Sequence, residues 1–286
     1  MLKSIEKQGE ISYKYLFYAA TCLALAVACR PNQLLVTLVL IPIAIKILIN
    51  NIKQRKNIIK TICSIGIPYL IVGILLMIYN YIRFDSIFEF GTSYQLTVND
   101  MRNLGYRLLT IPTGIITQLF KLPVVSNDFP FFVHQHSTIS FFGYYYVESL
   151  VCGLCILNPI NFILLFLIGL RKKIKENNSY KFTCLLTVVA LIMCIANIVL
   201  AGTLQRYSMD YAWLLNIASY LTVFIIISNI KSEEVKKYIL KIAIIITLFM
   251  LFSNIIVGAV VGEENFLQIF YPNQYYNIRY NICFWE

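Results

Sequence analysis

Long apolar runs separated by short polar gaps divide the chain. Most approach the length of about 20 residues that a helix needs to cross a hydrocarbon core of about 30 Å. The pattern predicts spans over Ile11–Cys29, Gln33–Ile49, Thr61–Tyr81, Phe182–Leu204, Tyr211–Ile230 and Tyr238–Val261. A further span starts at Asn158-Pro159, an N-cap followed by proline at the first helical position, and ends before Arg171. That stretch is short, so the preceding Glu148–Leu157 is expected to dip into the membrane or pack on other helices. Arg30-Pro31-Asn32 reads as a tight turn, because Pro31 disfavours helix at Arg30.

The expected fold class is all-α integral membrane: a polytopic bundle of about seven transmembrane helices with one long external loop. The chain divides into helices one to three (1–81), the loop (82–157), helices four to seven (158–261) and a Tyr- and Asn-rich external tail (262–286). A loop that long is usually functional. Within it, Met101–Leu122 carries apolar residues at helical spacing beside Arg102, Arg107 and Lys121, which predicts an interfacial helix, broken or kinked at Pro112.

Charge orients the bundle. Of 24 Lys and Arg, the gaps on one side hold all but Arg30, Arg83, Arg102, Arg107, Lys121, Arg206 and Arg279. Cytoplasmic loops retain Lys and Arg, so the N-terminus is expected inside and the C-terminus outside a plasma membrane. The richness in Ile, Lys and Asn fits a bacterial origin. With 59% hydrophobic and 13% charged residues, the composition excludes an ordinary soluble domain. The net charge of +10 is sided, which fits anionic lipid rather than nucleic acid.

Cys22, Cys63, Cys184 and Cys194 lie in apolar runs and read as small hydrophobes. Cys152-x-x-Cys155 has no second pair and no histidine at ligand spacing, and His134 and His136 have no third ligand. Neither metal nor cofactor is expected. Cys29 and Cys283 fall on the same outer side, which leaves a bridge between them open. No span carries a charge at its centre, which weighs against a coupled transporter.

Polar chemistry gathers instead at three outer segments: Ala28–Asn32, Asn80–Thr97 and Gln205–Tyr211. Each places an arginine at headgroup level: Arg30, Arg83 and Arg206. A guanidinium offers paired donors in the planar fork that phosphate accepts, so these three are the candidate lipid-phosphate ligands. Tyr94 and Tyr207 beside them are further substrate-binding candidates. Interfacial anchoring, which Arg and Tyr also serve, is the competing account. Asp85, Glu89 and Asp210 are carboxylates available for proton transfer or for simple surface solvation.

Asn80-x-x-Arg83-Phe84 with Phe88-x-Phe90-Gly91-x-x-Tyr94-Gln95-Leu96 resembles a segment of bacterial integral-membrane glycosyltransferases of the GT-C fold. These are relatives of the mannosyl- and arabinosyltransferases that use polyprenyl-phosphate sugars. Arg30-Pro31-Asn32, Gly153-Leu154 with Asn158-Pro159, Arg206-Tyr207-x-x-Asp210 and the tail Asn273–Trp285 are similar to that group as well. The resemblance implies transfer of a sugar from a lipid-linked phosphate to an acceptor outside the membrane. It also implies a carboxylate near the acceptor and cations at the leaving phosphate.

The family carries its acidic residues in the first external loop and has eleven or more spans. Here the first external connection is Arg30-Pro31-Asn32, without a carboxylate. The chain is therefore expected to be the C-terminal portion of such an enzyme, with no catalytic residue assigned, inactive without an N-terminal half or partner subunit. Two other functions remain open: a non-enzymatic subunit or scaffold of envelope polysaccharide export, and a glycan polymerase or ligase.

Overall fold

The computed structural model describes residues 12–53, 58–94, 108–127, 129–133, 136–141, 144–169, 178–200, 202–260 and 266–283. The chain is a helical membrane protein that folds as two compact units, Met1–Gly105 and Tyr106–Glu286. Among the described residues, five helices are long and apolar enough to cross a membrane: Pro31–Ile49, Ile58–Phe84, Asn178–Leu200, Gln205–Asn229 and Glu233–Gly258. Tyr13–Cys29 and Pro159–Gly169, both expected as crossings, are shorter apolar helices.

In the first unit, α1 (Tyr13–Cys29) buries Leu16, Ala20 and Ala24 at four-residue spacing. Alanines on such a stripe let a neighbouring helix backbone come close. Pro31 acts as expected: Arg30 is extended (φ −149°, ψ 118°) and ends the helix. The next span starts as a 3₁₀ helix, Pro31–Val39, and continues as α2 (Leu40–Lys53). Its buried residues Gln33, Val36 and Val39 recur every third position, which is the 3₁₀ period. The unit is completed by α3 (Ile58–Phe84), which packs along α1 and holds Pro68 within its length.

The second unit opens with α4 (Ile111–Phe120). Pro112 sits in its first turn, where a missing N–H costs nothing, so it starts the helix and does not kink one. Thr113, Gly114, Thr117, Gln118 and Leu119 are buried on one face, and α4 packs on α6 (Asn178–Leu200). Residues 101–107 of the expected interfacial helix lie outside the described residues.

Two short antiparallel pairs add β-structure to the long loop, beyond the one interfacial helix expected in it. β1 (Val124–Val125) pairs with β2 (Phe132–Val133), and β3 (His136–Phe141) with β4 (Tyr144–Ser149). The chain then enters a buried stretch, Leu150–Cys155, that includes the start of α5 (Leu154–Leu157). Val151, Cys152 and Leu157 pack against Val257 of α8 (Glu233–Val260). Of the two expectations for this stretch, packing on other helices describes it.

α6 and α7 (Gln205–Asn229) form the main helix pair, and Pro159–Leu165, a 3₁₀ helix, lies on α7. Half of the most apolar window of α6 and of α7 is buried, against 17% for α8, whose remaining surface is largely aliphatic. Polar side chains inside the bundle are tied in pairs. Asn254 Nδ2 donates to Asn158 Oδ1 (2.8 Å), Ser219 Oγ to Asn161 Oδ1 (2.8 Å), and Tyr220 shares a hydrogen bond with Thr247 (2.7 Å). Such bonds between helices hold apolar segments together where burial of oil against oil drives little. Asn158 precedes the 3₁₀ helix as its N-cap, but its side chain makes no capping bond. α9 (Phe266–Phe270) and α10 (Pro272–Ile282) close the chain; Tyr275 of α10 donates from its hydroxyl to the Phe129 carbonyl (2.8 Å).

Candidate functional site

In the first unit the sequence motif at the end of α3 is a built turn. α3 ends at Phe84, and Asp85 takes a left-handed conformation (φ 52°) that turns the chain away. Asn80, 2% exposed, donates from Nδ2 to the Ile87 carbonyl (3.3 Å) and holds the returning strand of loop. Glu89 accepts from the Ser93 N–H and hydroxyl (3.2 and 2.8 Å), which closes the next turn. Gly91 has φ +88°, and a Cβ there would lie 3.0 Å from the Phe84 ring. Tyr94 stacks on that same ring at 5.2 Å.

Arg83 stands on this turn. Its guanidinium lies 5.1 Å from the Phe84 ring centre and 5.8 Å from that of Tyr79, and Nη1 donates to the Tyr79 hydroxyl. Arg83 and Tyr94, two of the residues singled out from the sequence, are thus brought together through Phe84. Each exposed cation–π contact contributes about 0.5–1 kcal/mol, enough to bias the side chain toward the rings without burying its charge. Arg30, half-buried, occupies the turn between α1 and the 3₁₀ helix.

Arg206 belongs to the second unit and stands in the first turn of α7. Its guanidinium lies 5.2 Å from the Tyr207 ring centre, and Nη2 donates to the Tyr207 hydroxyl (3.4 Å). The turn beneath is held by Asn197, 1% exposed. Asn197 Nδ2 donates to the Tyr207 carbonyl (3.0 Å) and to Asp210 Oδ2 (3.1 Å), while its own carbonyl accepts from the Gly202 N–H (2.8 Å). Asp210 is buried at 3% exposure, so its role as a solvated surface charge is excluded. Among the described residues, neither Arg83 nor Arg206 is ion-paired.

A second set of bonds fastens the same end of α7 to the loop. Gln205 Oε1 accepts from the N–H groups of Val151 and Cys152 (3.2 Å each). Tyr211 donates from its hydroxyl to Gln118 Oε1 (2.6 Å), and Gln118 Nε2 reaches the Leu204 carbonyl (3.5 Å). Gly153 N–H donates to the Lys121 carbonyl (2.8 Å), and Lys121 Nζ donates to the Leu150 carbonyl. Burial lowers the Lys121 pKa, with the neighbouring Cys152 working the other way. Burial also pushes the Cys152 and Cys155 thiols up to about 11. A thiol held protonated is a poor nucleophile and a poor metal ligand.

The C-x-x-C pair is therefore part of the packing. All eight cysteines are free, Cys29 exposed and Cys283 buried among them. His134 and Gln135 lie outside the described residues. Among those described, no group of three or more His, Cys, Asp or Glu gathers at metal-binding range.

Sequence reasoning had not singled out Asn197, Gln118 or the fastening role of Gln205. A signal was present: each is an amide inside or at the edge of an apolar run, where an unpartnered amide costs several kcal/mol and so implies a bonding role. No family model, curated protein or solved structure matches the chain.

Proposed function

We propose that the chain is the membrane portion of a glycosyltransferase that handles a polyprenyl-phosphate sugar at the outer face of a bacterial plasma membrane. Arg30 and Arg83 of the first unit, beside Tyr94, and Arg206 of the second, beside Tyr207, are the residues that bind lipid phosphate, and the chain alone does not complete transfer. The observation that carries this reading is the repeated local design at two helix ends. Arg83 closes an apolar span and Arg206 opens one, each lies over a tyrosine ring, and each stands on a turn tied by a buried asparagine. An exposed guanidinium restrained at the edge of an apolar helix meets a phosphate whose tail lies in lipid. The bonds formed are charge-assisted, the stronger kind.

The test is binding of undecaprenyl phosphate, against undecaprenol as the uncharged control, to the full chain in nanodiscs by native mass spectrometry. The phosphate is expected to bind in preference to the alcohol. Changing Arg83 or Arg206 to Gln should weaken it about tenfold each, the scale of one charge-assisted hydrogen bond. Equal binding of phosphate and alcohol would refute the reading. So would a triple Arg→Gln variant that binds like the wild type, which would favour the non-enzymatic scaffold. Sugar transfer by the purified chain would overturn the statement that it is inactive alone.

A further inference from the structure

We infer that the outward face of α10 is a saccharide-binding platform, a role that rests on the glycosyl-transfer reading for its choice of ligand. α10 has two distinct faces. Tyr275 and Cys283, eight residues apart, are buried with Phe129, and Phe131 and Leu267 pack against that cluster. The Tyr275 hydroxyl bonds the Phe129 carbonyl, so this face fastens the helix.

The opposite face carries Asn273, Gln274, Tyr276, Asn277, Tyr280 and Asn281, all exposed, with Tyr276 at 53% and Tyr280 at 83%. Those positions follow helical spacing and share one side. None of these six is charged or aliphatic; the exposed isoleucines of the helix, Ile278 and Ile282, lie on its flank. A face built for lipid tails selects Leu, Ile and Phe, as the exposed surface of α8 does. A face built for phosphate selects Arg or Lys. Phenol rings with amides suit a neutral polyhydroxyl ligand instead. The ring faces meet the C–H side of a pyranose, and the amides of Asn273 and Gln274 match its hydroxyls as both donors and acceptors, while Asn281 Nδ2 donates to Asn277 Oδ1 (3.1 Å) and orients that pair.

Tyr276 and Tyr280 are four residues apart, which places their Cβ atoms about 5–6 Å from each other, the length of roughly one pyranose ring. Tyrosine also loses little conformational entropy on binding, having only two χ angles. Within the second unit this face belongs to the end where α7 begins. Gln205 at the start of α7 holds residues 151–152, which pack on Val257 near the end of α8, and α9 and α10 follow α8 in the chain. A glycan on α10 would therefore lie at the same end of the unit as Arg206.

The test uses the full chain in nanodiscs, with cellohexaose and maltohexaose as probes read by saturation-transfer difference NMR. Transfer to the sugar ring protons is expected with at least one probe. It should fall about thirtyfold in the Tyr276→Ala/Tyr280→Ala variant, from two stacking contacts of about 1 kcal/mol each. Arg206→Gln should leave saccharide binding intact, so loss of lipid-phosphate binding and loss of glycan binding separate cleanly. No transfer with either probe, or transfer that survives the double substitution, overturns the platform.

A nitroxide attached through Tyr280→Cys, with the exposed Cys22, Cys29 and Cys63 replaced, gives an independent check. It should be quenched more by an aqueous nickel chelate than by oxygen. The reverse order would place this face in lipid and sink the proposal.

Discussion

Gly153 packs directly against the backbone at the end of α4, and replacing it with alanine tests how that contact holds the second unit together. A Cβ at this position would lie 2.6 Å from the backbone nitrogens of Phe120 and Lys121 and 2.7 Å from the Leu119 carbonyl carbon. All three atoms are backbone, so no side chain can swing aside. Ordinary contact starts at 3.4 Å, which requires the segment to withdraw by about 0.8 Å. Withdrawal stretches the Gly153 N–H bond to the Lys121 carbonyl, now 2.8 Å, to roughly 3.6 Å, beyond bonding range. Overpacking costs about 1–3 kcal/mol and the lost bond about 1 more, so Gly153→Ala should destabilise by about 2–4 kcal/mol. The assay is thermal unfolding followed by a fluorogenic maleimide, which reports release of the buried thiols of Cys152, Cys155 and Cys194. The midpoint should drop by about 5–15 °C for a chain of this size. Gly66→Ala and Gly73→Ala supply the contrast. Nothing lies within 4 Å of a Cβ at either position inside α3, and alanine there should be neutral or stabilising by up to about 1 kcal/mol. An unchanged midpoint for Gly153→Ala, or equal damage from Gly73→Ala, would refute the packing argument.

Three further outcomes are expected. Asn197→Ala removes the donor shared by Tyr207 and the buried Asp210 carboxylate, and should cost about 2–3 kcal/mol in the same melt and loosen Arg206; an unaltered midpoint would contradict it. Cys29 should react with a membrane-impermeant maleimide in the folded protein, while Cys152, Cys155, Cys194 and Cys283 react only after unfolding; labelling of Cys152 at the rate of Cys29 would disprove the burial. For pH, Cys152 and Cys155 rise from an ordinary 9.0 to about 11 on folding, so between these values the unfolded chain gives up protons that the folded chain keeps. Their share of stability is full below pH 9 and falls as pH rises toward about 11. Lys121, lowered by burial, acts in the opposite sense below its ordinary 10.5. A Cys152→Ala/Cys155→Ala variant should show a shallower downward slope than the wild type, as read by chemical denaturation from pH 8 to about 11.

The spans were legible because apolar length is a strong constraint in lipid: the expected Phe182–Leu204, Tyr211–Ile230 and Tyr238–Val261 correspond to helices Asn178–Leu200, Gln205–Asn229 and Glu233–Val260. Their starts were placed several residues late, since a helix continues past the last apolar residue wherever its backbone finds partners. Gln205 falls in the expected outer gap between Leu204 and Tyr211 and instead opens α7, with its side chain accepting from the buried N–H groups of Val151 and Cys152. Pro112 was legible as a break but not as a beginning, which depends on a 3₁₀ turn, Leu108–Thr110, that carries no apolar period. The hairpin His136–Phe141 with Tyr144–Ser149 was hidden among aromatics; its signal was a β-branched and aromatic run on each side of Phe142-Gly143. At the candidate site, the arginines were visible from their positions between spans. Their footing on Phe84, Tyr79 and Tyr207, and the asparagines beneath, depends on folded geometry that spacing alone does not specify.

The tight helical winding at the start of the second apolar segment changes how far that segment reaches. A 3₁₀ helix rises about 2.0 Å per residue against about 1.5 Å for an α-helix. Pro31–Ile49 has 19 residues, nine of them in the tighter form, so it extends about 33 Å where a uniform α-helix would extend about 28 Å. The difference carries a short stretch across a hydrocarbon layer of about 30 Å that it would otherwise just fail to traverse. A substitution that relaxed Pro31–Val39 into ordinary α-helix would leave the stretch too short for its membrane, so thickness of the bilayer becomes a variable to which this segment should respond.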